Sequence, residues 1–348
     1  MQDLLSYSAA ELDMLLASWD EPSWRARQLR EWLWRYGAAD YEDMTNLPQA
    51  LRKRLATEAP LQRATVVKYL QGRDGARKYL LRFADGVATE TVAIPDTGAA
   101  TSPRLTVCVS SLAGCAMGCV FCATGRQGLT RSLSAGEVAE QVRVAGADFR
   151  RAVTNVVVMG QGEPFANYDA TLGALRLLND AHTFNIGARH LTVSTCGIIS
   201  GIERLAQEPE QFRLAVSLHA ATQELRDRLM PGLRSQPLPA LRDALRDYHA
   251  RSGRRLSLEY VLLRDLNDHD DNLAALADFA RATGAHVNFL PYNDTGDANT
   301  GMALSPSARA GQAAATLRGA GIEATVRRSR GADIAAACGQ LANTATAG

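Results

Sequence analysis

Cys115-Ala116-Met117-Gly118-Cys119-Val120-Phe121-Cys122 follows a strand-like apolar run, Leu105–Val109. Its cysteines are spaced C-x3-C-x2-C and can all face one point only if they ligate one thing. Their number is informative. A structural zinc ion takes four closed ligands, and an electron-carrying cubane iron–sulfur cluster takes one cysteine on each of its four irons. No fourth cysteine follows closely, so a cluster held here leaves one iron open to bind substrate. A zinc knuckle or chance core cysteines fit the ligand number and spacing less well.

Outward from this run, strand and helix patterns alternate. Apolar, β-branched stretches at Leu105–Val109, Thr154–Met159, His190–Ser194, Phe212–Leu218, Leu256–Leu263 and Ala285–Leu290 read as strands. Helical stretches include Ser134–Ala147, Tyr168–Ala181, Leu238–Ser252 and Asn272–Thr283. Six β/α repeats predict a parallel sheet or an incomplete α/β barrel. A further strand-like run spans Ile322–Arg327, ahead of a tail carrying Cys338. Chemistry in such folds gathers in the loops at the C-terminal ends of the strands. After the cysteine loop, that rule selects Gly160-Gln161-Gly162-Glu163-Pro164, Ser194-Thr195-Cys196, Ser217-Leu218-His219 and Pro291-Tyr292-Asn293. Taken singly these are weak signals. A strand-end serine often caps a helix, a lone histidine is more often a bonded core residue, and Asn293 also suits a turn.

Before the barrel pattern the chain changes character twice. Residues 1–62 read as a helical domain, with a capping box at Ser8–Glu11 and an amphipathic run from Trp24 to Tyr36 that ends at Gly37. Leu29, Trp32 and Leu33 are expected in its core, while Arg25, Arg27 and Arg30 face outward. Over 63–98, runs at Val66–Leu70, Lys78–Phe83 and Thr89–Ile94 predict a small antiparallel extension, with a linker over 96–103. On pattern alone Glu90 is one face of an edge strand and Cys108 is strand core.

Composition narrows the class. The 348 residues are 46% hydrophobic and 22% charged, which permits a sizeable core. No uncharged apolar run approaches the ~20 residues of a membrane span, and the first residues lack a secretory pattern, so a cytoplasmic location is expected. Reduced thiols then point to metal or redox chemistry for the six cysteines. A net charge of +1 leaves any nucleic-acid affinity to local clusters: Arg25/Arg27/Arg30, Arg52-Lys53-Arg54, Arg251/Arg254/Arg255 and Arg327/Arg328/Arg330. Cys338 lies among alanines, a usual core setting. The arginines upstream nevertheless predict a thiol shifted toward thiolate.

The cysteine spacing, with aromatic Phe121 before the last cysteine, resembles the signature of radical S-adenosylmethionine (SAM) enzymes. Further stretches resemble the RlmN/Cfr family of radical SAM RNA methyltransferases: Trp24–Gln28, Met44–Pro48, Glu90–Val92, Cys108–Ser111, Gly162–Pro164, Ser217–His219 and Arg330–Leu341. They span essentially the whole chain. Glu163-Pro164 and Arg330-Gly331 resemble the RlmN branch, which acts at C2 of adenine, rather than the Cfr branch, which acts at C8. Two positions depart from the pattern: Gln161 stands where methionine is common, and Cys196 where serine or threonine is.

The resemblance implies an incomplete (β/α)6 radical SAM barrel over 99–348, preceded by an RNA-binding helical domain and a β extension. It implies one 4Fe-4S cluster on Cys115, Cys119 and Cys122, and two SAM molecules per turnover. SAM contacts carry over to Gly162, Glu163, Ser194, Ser217, Leu218, His219 and Asn293. In the family a tail cysteine, matching Cys338, is methylated first and then delivers its carbon to the base. A second cysteine, matching Cys108, resolves the protein–RNA crosslink through a disulfide, and a carboxylate matching Glu90 accepts a proton. The implied partners are 23S rRNA, in some members tRNA, and an electron donor such as flavodoxin or ferredoxin. A monomer without membrane association is expected.

Overall fold

The computed structural model describes residues 3–96, 104–296, 302 and 304–343; most of the expected linker, from 97 to 103, lies outside them. One ten-stranded sheet dominates. In chain order its strands are β1 (Thr65–Gln71), β2 (Arg77–Arg82), β3 (Ala88–Pro95) and β4 (Leu105–Cys108). A separate two-stranded hairpin follows, β5 (Leu112–Cys115) with β6 (Gly128–Ser132). The main sheet resumes with β7 (Asn155–Val158), β8 (Leu191–Thr195), β9 (Arg213–Ser217), β10 (Leu256–Leu262), β11 (His286–Pro291) and β12 (Ala324–Val326). Their spatial order is β1-β2-β3-β4-β7-β8-β9-β10-β11-β12.

From β4 through β12 every pairing is parallel, whereas β1 to β4 pair antiparallel. The expected six β/α strands are therefore present, with β12 added beside β11. The antiparallel extension hydrogen-bonds directly into the same sheet, Val92 opposite Cys108. Parallel strands covered by helices must be apolar on both faces. Val156, Leu191, Val193, Val216, Leu256, Leu258 and Phe289 are all fully buried, each Leu or Val contributing roughly 1.5–3 kcal/mol.

β10 shows how the barrel keeps a polar interior. It is buried along its whole length, yet it carries Glu259, whose Oε1 accepts from Ser257 and from Asn288 of β11, both at 2.8 Å. Bonded polar groups at that depth stabilise a lumen in which polar ligands can sit.

The N-terminal helices pack on the barrel's flank. Ser8 and Glu11 form the expected capping box at the helix Ala9–Ala17. The run from Trp24 departs from simple helical phase, because Trp24–Arg30 is α-helical and Glu31–Arg35 is a π-turn. A π-turn adds a residue to the repeat and rotates everything after it. Leu29 and Leu33 are buried as expected, but Trp34 enters the core and Trp32 turns half outward. Arg63 ties this layer to the barrel helix Ala135–Phe149, donating to the Leu33 and Ala38 carbonyls and pairing with Glu140 at 2.9 Å.

Candidate active site at the barrel mouth

The cysteine loop hangs from the β5–β6 hairpin. Gly114 has φ +82°, and a Cβ there would lie 2.0 Å from the Gly128 carbonyl oxygen, so only glycine allows the two strands to close. Cys115 ends β5, and the loop is then pinned from outside. Val120 N–H donates to the Leu229 carbonyl at 3.0 Å, Gly232 N–H to that of Met117 at 3.0 Å, and Ala123 N–H to that of Gly339 at 2.7 Å.

The three sulfurs face a common space. Burial pushes the Cys115 thiol up to about 11, with Cys122 adding to the shift. Cys119 lies well above its ordinary value, through burial first and then the charges of Cys122 and Cys115. The trio is nevertheless too open for one tetrahedral ion, whose Zn–S bonds of about 2.3 Å require sulfurs roughly 3.8 Å apart. Among the described residues, the only ligand group with all donor atoms within 4.8 Å of one another is Asp265, Asp268 and His269. One buried and two half-buried thiols at wider spacing fit the corners of a larger, cationic iron–sulfur core, which thiolates would ligate.

Around this loop stand the strand-end residues. Gly162 has φ +98°, and a Cβ there would meet that of Leu112 at 2.5 Å, so the turn after β7 can press on the cysteine hairpin only as glycine. Glu163 is buried; its Oε1 accepts from Phe165 N–H at 2.9 Å and its Oε2 from Cys196 N–H at 2.6 Å. Burial raises its pKa against these bonds. Ser194 and Ser217 meet across β8 and β9, Oγ to Oγ at 3.5 Å. Leu218 N–H donates to the Glu259 carbonyl at 3.0 Å. His219 has φ +56°, accepts from Val261 N–H at Nδ1, and stands edge-on to Phe121 at 4.7 Å. Burial, then the Arg226 charge, lowers its pKa to about 3, so it is neutral with its proton on Nε2.

The C-terminal tail closes the opposite side. Asn293 joins two parts of it, accepting from Ser329 Oγ at 2.6 Å and donating to the Cys338 carbonyl at 3.1 Å. Arg330 pairs with Asp74 at 2.7 Å and reaches the Pro95 carbonyl, and Asp333 accepts from Arg73 N–H. Lys78 and Glu90 form a buried ion pair at 2.9 Å, and both hold the tail: Lys78 donates to the Ala335 carbonyl, while Glu90 accepts from Ala342 N–H. Cys338 itself is exposed. Its thiol is pushed up, first by burial beneath surrounding atoms and then by Glu259 and Cys122, against which Arg327 acts weakly. The expected shift toward thiolate is thus reversed, because burial first, and then the Glu259 and Cys122 charges, outweigh Arg327. Cys108, half-buried at the end of β4, is pushed up to about 12 by burial and by Cys338. All six cysteines are free thiols in this structure.

Comparison with known proteins agrees with this arrangement. The model of the radical SAM superfamily matches residues 109–277, and that of the ribosomal RNA large subunit methyltransferase N-terminal domain matches residues 2–61. A "probable dual-specificity RNA methyltransferase RlmN" of Chloroflexus aurantiacus is 45% identical, over 97% of this chain and 92% of its own. The chain belongs to the RlmN family of radical SAM RNA methyltransferases. An RlmN of Gemmatimonas aurantiaca, named in the same words, is 42% identical over 98% of this chain and 93% of its own. A crystal structure of a radical SAM methyltransferase from Sphaerobacter thermophilus superposes with TM-score 0.91 at 46% identity, covering 99% of this chain and all of that one. Among the described residues no helix is long and apolar enough to cross a membrane.

For an RlmN-family chain, the surface available to RNA is smaller than the sequence suggested. Arg25 is buried, paired with Glu21 and laid 4.1 Å over the Trp24 ring, because it falls on the inner side of its helix. Arg254 is buried and donates to the Leu205 and Glu208 carbonyls. Arg330 is committed to Asp74. Arg52 pairs with Glu42, and Arg54 with Glu58. Arg27, Lys53, Arg251, Arg327 and Arg328 are exposed. After the π-turn, half-buried Trp32 and exposed Tyr36 lie tilted against each other with ring centroids 5.1 Å apart, an aromatic surface on the helical domain that bases can meet. Three charged residues at the mouth also went unnoticed. Lys78 could have been flagged as a charge inside an apolar strand, but Asp74 and Arg226 carry no local signal.

Proposed function

We propose that this enzyme, working in the cytoplasm, methylates C2 of adenosine in the peptidyl-transferase loop of 23S rRNA and, in tRNA, next to the anticodon. The methyl carbon travels on Cys338. The observation that carries this reading is that the tail on both sides of Cys338 is seated between the two other thiol sites: Ala123 N–H, next to Cys122, donates to the Gly339 carbonyl at 2.7 Å, and Cys108 packs against the cluster of Val92, Ala336 and Leu341. A carrier must meet the methyl donor, the radical source and the resolving thiol in turn, and a tail laid across the mouth supports this.

Cys115, Cys119 and Cys122 would hold a 4Fe-4S cluster, which, with SAM and an electron from flavodoxin or ferredoxin, would supply a 5′-deoxyadenosyl radical. The chain's own residues do the rest. Glu163 receives the SAM ammonium beside Gly162, and Ser194, Ser217, Leu218, His219 and Asn293 line the nucleoside and carboxylate. Neutral His219 offers a donor without adding charge. Cys338 loses its proton on accepting the first methyl group. The S-methyl group then gives up a hydrogen atom to the deoxyadenosyl radical, its carbon bonds to C2, the adduct passes one electron back to the oxidised iron–sulfur cluster, and Glu90 takes the C2 proton. Cys108 then gives up its own proton and joins Cys338 as a disulfide, and the carbon released from sulfur takes a proton to become the methyl group of the freed base. Arg27, Lys53 and the Trp32–Tyr36 aromatic pair hold an RNA loop whose base is splayed out.

Intact-protein mass spectrometry with peptide mapping, on anaerobically purified, cluster-loaded enzyme, tests the reading. A methyl group on Cys338 that disappears in Cys338→Ala, with 2-methyladenosine in digested RNA, is the expected result. Unmodified Cys338 in enzyme that cleaves SAM would withdraw the carried methyl, and 8-methyladenosine would move the reaction to the other carbon.

A further inference from the structure

Arg226, on the short helix Gln223–Leu229, is the bulkiest side chain with no exposure at all. Its guanidinium donates to the Leu218 carbonyl at 2.6 Å and to that of Cys196, and its Nε is buried with no partner. Among the described residues no carboxylate oxygen lies within 4.0 Å of it. Arginine cannot shed its proton. A buried cation satisfied only by neutral carbonyls is costly, and such a charge persists where an anion completes it. The helix that carries it is held to the cysteine loop by Val120 N–H, which donates to the Leu229 carbonyl at 3.0 Å, and the charges that act on Arg226 are those of Cys196, Cys119 and Asp227.

We propose that Arg226 is a positioning residue: the fixed counter-charge of the iron–sulfur cluster, held against the cysteine loop to favour thiolate ligation and to ease one-electron reduction. This rests on the reading that the three loop cysteines hold that cluster. A cubane core of charge 2+ with three thiolates carries one net negative charge, and two after reduction. A nearby positive charge in a low-dielectric interior stabilises the second state more than the first. Two of the guanidinium's nitrogens donate to carbonyls of the β8 and β9 loops and fix those loops beside the cysteine loop, and the group acts on the cluster through its charge.

The test is an EPR-monitored redox titration of cluster-loaded wild type, Arg226→Met and Arg226→Lys, together with thermal unfolding before and after loading with iron and sulfide. Reduction of the Met variant is expected to be at least tenfold less favourable, a fall of about 59 mV for one electron, with Lys restoring most of it. Loading should also raise the unfolding temperature less in the Met variant than in wild type. If Arg226→Met does not fold, Arg226→Gln keeps a donor for the carbonyls and carries both readouts; failure of both to fold would assign Arg226 to bridging alone and overturn the proposal. An unchanged potential in a folded, loaded variant overturns it too. Wild type that takes up no iron and sulfide overturns the cluster reading and this inference with it.

Discussion

The cysteine loop and the C-terminal tail both bring thiols to one cavity, by opposite means. The loop is built from local sequence, even though its far side is pinned from outside. Cys115, Cys119 and Cys122 are neighbours in sequence, and the hairpin that carries them closes on its own glycines. Among the described residues the tail has almost no regular structure of its own beyond the short turn Ala332–Ile334. Its position comes from residues over two hundred places earlier: Asp74, Lys78 and Glu90. A cluster needs rigid ligands, whereas a carrier needs a docked position that it can leave. The two segments differ as those tasks require.

The sharpest break of this contrast is a pair of single substitutions. Cys119→Ser should reduce bound iron to background and abolish methylation. Cys338→Ala should also abolish RNA methylation while leaving iron content and reductive SAM cleavage at wild-type level. Iron analysis and deoxyadenosine release check both. Iron loss in the tail variant would mean that the segments are not independent.

A smaller effect is expected where the tail meets the antiparallel strands. The Lys78–Glu90 pair is buried on both sides. Lys78→Met leaves the carboxylate unpaired at that depth, which costs about 3–5 kcal/mol, read as a fall in the denaturant midpoint at unchanged slope. Charge neutralisation of both residues should recover much of it. A double variant as unstable as the single one would show that packing, not charge, holds the tail here.

The same contrast explains what the sequence revealed. The parallel strands were legible because buried β/α strands read as apolar runs, and the cysteine loop because ligand spacing is local. The β5–β6 hairpin was not, since Leu112–Cys115 is too short for an alternating pattern to register. The π-turn at Glu31–Arg35 exchanged the roles of Trp32 and Trp34, which a fixed 3.6-residue period does not foresee. At Cys338 the sequence pointed the wrong way. Nearness in the chain put arginines beside it, while nearness in space put Glu259 and Cys122 there.

Loosening only the tail's root should have a milder consequence. Asp74 accepts from Arg330 Nε at 2.7 Å, Gly331 N–H at 3.0 Å and Ala76 N–H at 3.0 Å. Burial acts to raise its pKa, but these donors outweigh it and the carboxyl lies below 3.8. Its contribution is therefore present above that pH and lost as pH falls through the lower, folded value. Asp74→Asn at neutral pH removes a charged acceptor worth about 1.5–3 kcal/mol per bond. Hydrogen exchange over 331–341 should then quicken roughly tenfold or more, with the cysteine loop unaffected. Equal quickening in both segments would erase the distinction between them.

The finest test concerns the Cys338 thiol. Burial and Glu259 raise its pKa above the ordinary thiol value of 9.0. A group raised in the folded state keeps its proton through neutral pH, so iodoacetamide should modify Cys338 slowly at pH 7 despite its exposure, the rate climbing only above pH 9. Glu259→Gln removes the repelling carboxylate and should move that climb to lower pH, without altering iron uptake by the loop. A rate already at its plateau near pH 7 would restore the expectation drawn from the neighbouring arginines. It would also mean that the tail does not rest where Glu259 can reach it, so that its docking, unlike the loop's, depends on a bound partner.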